Sequence, residues 1–196
     1  GPSSAAPDGK PWGSRWPRTT IRDQVDVETR LADHLEISRF AAVIGGSMGG
    51  LRALEWLIGY PERVRAAATI ACGAAATADQ IATQTVQIQA ITSDPNWAGG
   101  DYHDSAAGPP ADGMGIARRI AHLTYRSENE LAVRFGNNPQ EREDAFSELI
   151  PGVHGGAGRF AVTSYLDHQA ARLHQRFDAG TYAALSDAMS THDVGR

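Results

Sequence analysis

Lysine is almost absent from this 196-residue chain: of the 18 basic residues only Lys10 is not an arginine, and the arginines stand singly or in pairs. Long basic runs are therefore missing. The formal net charge of -5 and a pI near 5.8 argue against a nucleic-acid binder, which would show a basic face. Cysteine is nearly absent too. The single Cys72 excludes an intramolecular disulfide and a cysteine-built metal cluster, so no metal is expected and a reducing cytoplasm is the expected compartment. No apolar run approaches the roughly 18 residues of a membrane span, and the mean hydropathy is -0.35. The opening GPSSAAPDGK lacks the charged start and apolar stretch of a secretory signal. What remains is 41% hydrophobic and 21% charged, the composition of a globular domain.

Periodicity organises that composition. Residues 1–20 carry Pro, Gly and Ser but also Trp12 and Trp16, which predicts an ordered loop. Val27, Leu31 and Leu35 recur every fourth position, predicting an amphipathic helix from Asp23, with Asp23 as its cap and these three as its buried stripe. Phe40 to Ile44 is an uninterrupted apolar run ended by Gly45-Gly46, the pattern of a strand buried on both faces. Leu51, Leu54, Leu57 and Ile58 share one face of a second helix, which Gly59-Tyr60-Pro61 stops. Val64 to Cys72 is a second apolar run, closed by Gly73. Helix, strand, helix, strand is the rhythm of a parallel α/β sheet.

After Gly73 the character changes. Thr77 is positioned to cap a helix reaching about Ile91, and residues 93–113 read as loop. Further helices are predicted over about 114–125, 128–135, 159–176 and 178–191, with a mobile polar loop from Gly136 to Gly158. No strand is expected beyond residue 73. The chain thus divides into an α/β part, residues 1–74, and a helical part, residues 75–196. Two parallel strands cannot make a covered sheet alone, so the chain is expected to be part of a larger protein.

Gly45-Gly46-Ser47-Met48-Gly49-Gly50 contains G-x-S-x-G, with a strand before it and a helix after it. That context is what a nucleophile elbow requires. The turn is so tight that the serine takes a strained backbone, and small flanking residues avoid collisions. Ser47 would stand at the sheet's C-terminal edge as nucleophile. The backbone N–H of Met48, at the start of the helix, could donate to an oxyanion. The competing reading is a close-packed glycine turn or a phosphate cradle, but phosphate loops end in GK[ST] or carry G-x-G-x-x-G, and neither is present.

A serine nucleophile of this architecture needs an acid and then a histidine later in the chain, on loops after further strands. His34 precedes the elbow. His103, His122, His154, His168, His174 and His192 follow it, in helical or loop segments. His192 beside Asp193 ends a helical pattern, and neighbours on one element do not form the usual relay, so a surface or packing role is expected. The base and its acid are not expected within these residues.

Five segments together resemble homoserine O-acetyltransferases: GPSSAAPDGKPWGSRWPRTTIRDQV, VIGGSMGGLRALEWLIGYPERV, TADQIATQTVQIQAI followed by DPNWAGGDY, ARRIAHLTYRSENEL, and RFAVTSYLDHQ with RFDAGTYAALSDAMSTHDVGR. The resemblance implies an α/β-hydrolase fold, here a partial parallel sheet with a large helical lid insertion and dimerisation through the lid helices. It implies Ser47 as the acyl-accepting nucleophile, Met48 as the oxyanion donor, and Arg118 and Tyr125 as substrate-binding residues. It places the first strands, and the last strands with the triad Asp and His, outside this chain. Seven residues at about 100° each return nearly to one helix face, so Arg118 and Tyr125 would share a wall while Arg119 points away. Without the resemblance Arg118 would read as a surface cation. A guanidinium grips a carboxylate bidentately.

The implied reaction is a ping-pong transfer from acetyl-CoA, a cosubstrate rather than a bound cofactor, to the hydroxyl of L-homoserine. Three alternatives stand beside it. One is succinyl transfer or a serine acceptor, the second an esterase with the same elbow, and the third a catalytically incomplete binding or dimerisation module.

Overall fold

The computed structural model describes residues 1–143 and 158–196. Along the chain run α1 (Ile21–His34), β1 (Val43–Gly46), α2 (Met48–Gly59), β2 (Ala67–Ile70), α3 (Ala78–Thr92), α4 (Ala111–Thr124), α5 (Glu128–Phe135), α6 (Ala161–His174) and α7 (Ala179–Ser190). The helices expected after Gly73 are all present. The stretch expected as loop over 93–113 instead holds a short 3-10 segment, Pro95–Gly100, started by Asp94, and the first residues of α4. The expected loop over 136–158 lies mostly, from 144 to 157, outside the described residues, as does His154. Two compact units emerge: residues 15–85 with 180–196 and Gly1, and residues 2–14 with 86–179.

In the first unit β1 and β2 pair in parallel, Val43 opposite Ala67 and Gly46 opposite Ile70, and a bridge from Phe40 to Val64 extends the pairing. The expectation of a sheet buried on both faces is corrected here. Helices α1 and α2 meet one another and α2 lies on the sheet, whereas Ile44 and Ile70 remain 70% and 56% exposed. Alternation along a strand sends successive side chains to opposite faces, and only one face is covered among the described residues.

The buried rows of the helices also differ from the expected ones. Val25, Ala32, Trp56 and Val64 form the core, with Ile37, Phe40, Val43 and Tyr60 against it. Val27, Leu31 and Leu35 are exposed, because two residues along a helix is about 200° around it, the side opposite Val25. On α2 the buried residues are Gly50, Ala53, Glu55 and Trp56, while Leu57 and Ile58 are exposed. The aromatic anchor decides this. Trp56 meets Phe40 edge-on at 5.3 Å, and its Nε1 donates to Glu28.

Helix α1 begins one turn earlier than expected. Thr20 is the cap and Asp23 completes a capping box at the third helical position, its carboxylate accepting from the Thr20 backbone N–H at 2.7 Å. Those bonds hold the Asp23 carboxyl below its ordinary range. Thr77 caps α3 as expected, and Gln80 completes the corresponding box there. After α7 the chain returns beside residues 74–76: Ala75 bridges Asp193, and the Ala76 N–H donates to the His192 carbonyl.

In the second unit α4 packs on α6, and Met114, Ala117 and Ala121 of α4 and Ala170 and Leu173 of α6 are all buried. Arg119 joins the helices by an ion pair to Asp167 at 2.8 Å. A Cβ at Gly113 would strike the Ala90 carbonyl, so this glycine lets α4 approach the end of α3.

Candidate active site

The bend between β1 and α2 is built from the main chain outward. Ser47 has φ 53 and ψ -122, a left-handed conformation that L residues rarely adopt. Its N–H donates to the Ile70 carbonyl at 2.9 Å, and its own carbonyl accepts from Gly50 and Leu51 as α2 begins. Such a conformation persists only where neighbouring bonds hold it, and it concentrates at functional sites. The Ser47 side chain makes no capping bond to α2. Its hydroxyl is therefore not spent on the helix. Met48 is the first residue of α2, where N–H groups lack intrahelical acceptors.

Two glycines of the motif are sterically required. A Cβ on Gly45 would overlap the backbone of Gly49, and one on Gly50 would lie 2.6 Å from the Cys72 sulfur. Gly46 and Gly49 have open space where a Cβ would stand. The close packing thus falls on Gly45, the first residue of the G-x-S-x-G pattern, and on Gly50, just outside it, where α2 crosses the end of β2.

Beside Ser47 lies a cavity of about 90 Å³, lined among others by Met48, Leu51, Cys72, Gln80, Gln84 and Met189. Sequence reasoning missed the glutamines and Cys72. Gln80 and Gln84, one turn apart on α3, carried a signal in their spacing, whereas Cys72 carried none beyond its place at the end of the second apolar run.

No histidine among the described residues is hydrogen-bonded to Ser47. His192 is buried and faces Glu55, Nδ1 to Oε1 3.5 Å, while Glu55 also pairs with Arg22 at 3.0 Å. The packing role is the one it takes, and its partner is Glu55 rather than the adjacent Asp193, whose carboxylate accepts from the Gly195 N–H. Burial pushes the His192 imidazole down from its ordinary value; Glu55 opposes this and Arg22 adds to it. His103 reaches Asp178 at 3.0 Å, and His122 reaches the Tyr165 hydroxyl at 2.8 Å. His34, His168 and His174 are exposed. Among the described residues no group of three His, Cys, Asp or Glu side chains could hold a metal ion.

Arg118 and Tyr125 belong to the second unit. Arg118 lies on α4 and Tyr125 is the residue that caps its C-terminus, the guanidinium carbon 5.9 Å from the Tyr125 ring centre. Arg118 Nε is buried without a hydrogen-bond partner among the described residues, and Tyr125 is 61% exposed. Arg119 points elsewhere, to Asp167. Between Arg118 and Tyr125 lies His122, which sequence reasoning left unassigned although its i+4 spacing from Arg118 placed it there. Its ring meets Tyr125 and Tyr165 edge-on, each at 5.5 Å. Burial first, then the charges of Arg118 and Arg126, depress its imidazole.

Comparison with known proteins bears on these elements together. The family model of the alpha/beta hydrolase fold matches residues 1–181. The chain is 61% identical over all 196 residues to a homoserine O-acetyltransferase of Nocardia farcinica, and 57% identical to one of Thermobifida fusca, covering 49% of each. It spans about half the length of the curated relatives it matches. Among solved structures it is similar to homoserine O-acetyltransferase from Bacillus anthracis, at TM-score 0.82 and 22% identity, over 98% of this chain and 49% of that one. At that identity the likeness concerns the fold. No helix among the described residues is long and apolar enough to cross a membrane.

Proposed function

The chain belongs to the alpha/beta hydrolase fold family, and on that premise we propose that it carries the nucleophile of a homoserine O-acetyltransferase. The observation that carries this reading is the identity of 61% across the whole chain to a curated enzyme of that name, coinciding with the left-handed Ser47 between strand and helix. Ser47 Oγ attacks the thioester carbonyl of acetyl-CoA, the C–S bond breaks, and CoA leaves as the thiol while the acetyl group stays on the serine. The Met48 N–H faces the oxyanion formed in each half-reaction. The hydroxyl of L-homoserine then takes the acetyl group, giving O-acetyl-L-homoserine and restoring Ser47. Arg118 grips the amino acid's carboxylate, with Tyr125 beside it.

An unassisted hydroxyl is a poor nucleophile, and no described imidazole reaches Ser47. The reading therefore places the base and its orienting acid outside these residues. The region from 75 to 196 is read as the helical lid, through which two copies pair as a homodimer, in the cytoplasm.

The test is incubation of the full-length gene product with acetyl-CoA and L-homoserine, following CoA release and O-acetyl-L-homoserine by mass spectrometry. Transfer that disappears in Ser47→Ala supports the assignment. Acetate release that ignores homoserine would replace it with the esterase reading.

A further inference from the structure

Helix α4 buries glycines, alanines, Met114 and a single polar side chain, His122. Burying an imidazole costs more than burying a leucine in the same space unless the ring is hydrogen-bonded. The bond that offsets this cost leads to another helix. His122 Nδ1 lies 2.8 Å from the Tyr165 hydroxyl on α6. Tyr165 is itself held by its neighbours. Its ring centre is 5.1 Å from that of Phe135 on α5, and the Arg134 guanidinium carbon stands 4.9 Å from it. His122 meets the same ring edge-on at 5.5 Å.

The other edge of this arrangement is Tyr125. It is the C-cap of α4, where helices fray, and it is 61% exposed. An aromatic side chain at such a place loses rotamer freedom whenever it must keep one position against a ligand. The His122 ring, edge-on at 5.5 Å, and the Arg118 guanidinium carbon, 5.9 Å from the ring centre, restrain it. Contacts therefore run from α5 through Tyr165 and His122 to Tyr125 and Arg118, all within the second compact unit.

We infer that His122, fastened by Tyr165, is a positioning residue that holds the Tyr125 ring beside the Arg118 guanidinium, so that the pair meets the amino acid's carboxylate already in place. This deepens, and rests on, the reading of Arg118 and Tyr125 as the grip for L-homoserine. His122 is buried and acts through its neighbours. It lowers the ordering that binding would otherwise require of them.

The experiment uses the full-length protein and reads KM for L-homoserine apart from the CoA burst that acetyl-CoA gives alone. His122→Leu keeps the bulk and removes both the hydrogen bond and the ring edge. Its KM for homoserine should rise by about fivefold to fiftyfold, while the burst stays within about twofold. Tyr165→Phe removes one hydroxyl and should raise KM by about threefold to tenfold. A cycle with Tyr125→Ala separates positioning from packing. Once that ring is gone there is nothing left to hold, so adding His122→Leu should change KM by less than about twofold.

An unchanged KM in His122→Leu, a burst reduced as much as homoserine binding, or the same fold-change in both backgrounds would each overturn the inference. Tyr165→Phe, alone and with Tyr125→Ala, decides in the same way should the leucine variant not fold. Wild-type protein that transfers nothing to homoserine, or a KM unmoved by Arg118→Ala and Tyr125→Ala, would remove the reading of the grip and this inference with it. Homoserine binding lost in Arg118→Ala but unresponsive to His122→Leu would remove this inference alone.

Discussion

The Ser47 N–H donates to the carbonyl of Ile70 at 2.9 Å, fastening the bend after β1 to the last residue of β2. Parallel pairing brings Gly46 opposite Ile70, so the residue after β1 finds an acceptor in the next strand at the point where it turns. The strain at Ser47 is thus held by a bond from outside its own loop.

That strain is measurable. Ser47→Gly should relieve a left-handed conformation that costs about 1–3 kcal/mol in a non-glycine residue, offset in part by the greater entropy of the unfolded chain. The expected outcome is a protein at least as stable as wild type and inactive. Ser47→Ala keeps the strain and should lower kcat by roughly 10³-fold or more. Thermal melts and CoA release read both.

Gly50 lies against Cys72, and the contact predicts a rescue. Gly50→Ala puts a methyl carbon 2.6 Å from the sulfur and 3.2 Å from the Gly45 carbonyl oxygen. Overpacking of this kind costs about 1–3 kcal/mol. Adding Cys72→Ala removes the sulfur but leaves the carbonyl, so urea unfolding should recover part of the loss. Full additivity of the two changes would contradict the contact.

The His192 imidazole is depressed by burial, with Glu55, Arg22 and Asp193 acting on it. A histidine whose folded value lies below its unfolded one binds fewer protons when folded. Its contribution is complete above the unfolded value of about 6.5 and is lost as pH falls below it. The wild type should therefore lose stability on acidification from about pH 7, and His192→Asn should flatten that slope. Equal slopes in denaturant melts across pH 5 to 8 would show that the proton is not taken up there.

Arg118 should act on binding of the amino acid. In the full-length enzyme Arg118→Ala is expected to raise KM for L-homoserine by about tenfold to a hundredfold, with the acetyl-CoA half-reaction little changed. Arg118→Lys should recover only part, since an ammonium cannot make the bidentate contact. Full recovery by lysine would reduce the role of Arg118 to its charge.

Much of this was legible along the chain. The apolar run from Phe40, the glycines, Ser47 and the helical spacing of Leu51 and Leu54 announced a strand, a bend and a helix in that order, because backbone preference and apolar period act over neighbouring residues, although β1 runs Val43–Gly46 and includes the two glycines expected to end it. The same locality placed α4 to α7 and the Thr77 cap, and brought Arg118 and Tyr125 near each other.

Which surfaces meet was decided in three dimensions. Helix α1 carries two apolar rows on opposite sides, and period alone cannot choose between them; Trp56, 31 residues beyond Val25, makes the Val25 row the buried one and leaves Leu31 exposed. His192 could take Asp193 as partner on sequence adjacency, yet the returning chain carries it to Glu55 on α2. Gly50 is confined by Cys72, and Gln80 and Gln84 line a cavity together with Ser47, for the same reason. Side-chain partners far apart in sequence are chosen by whichever elements pack together, and that choice is made by the burial energy of the whole unit rather than by any local stretch of it.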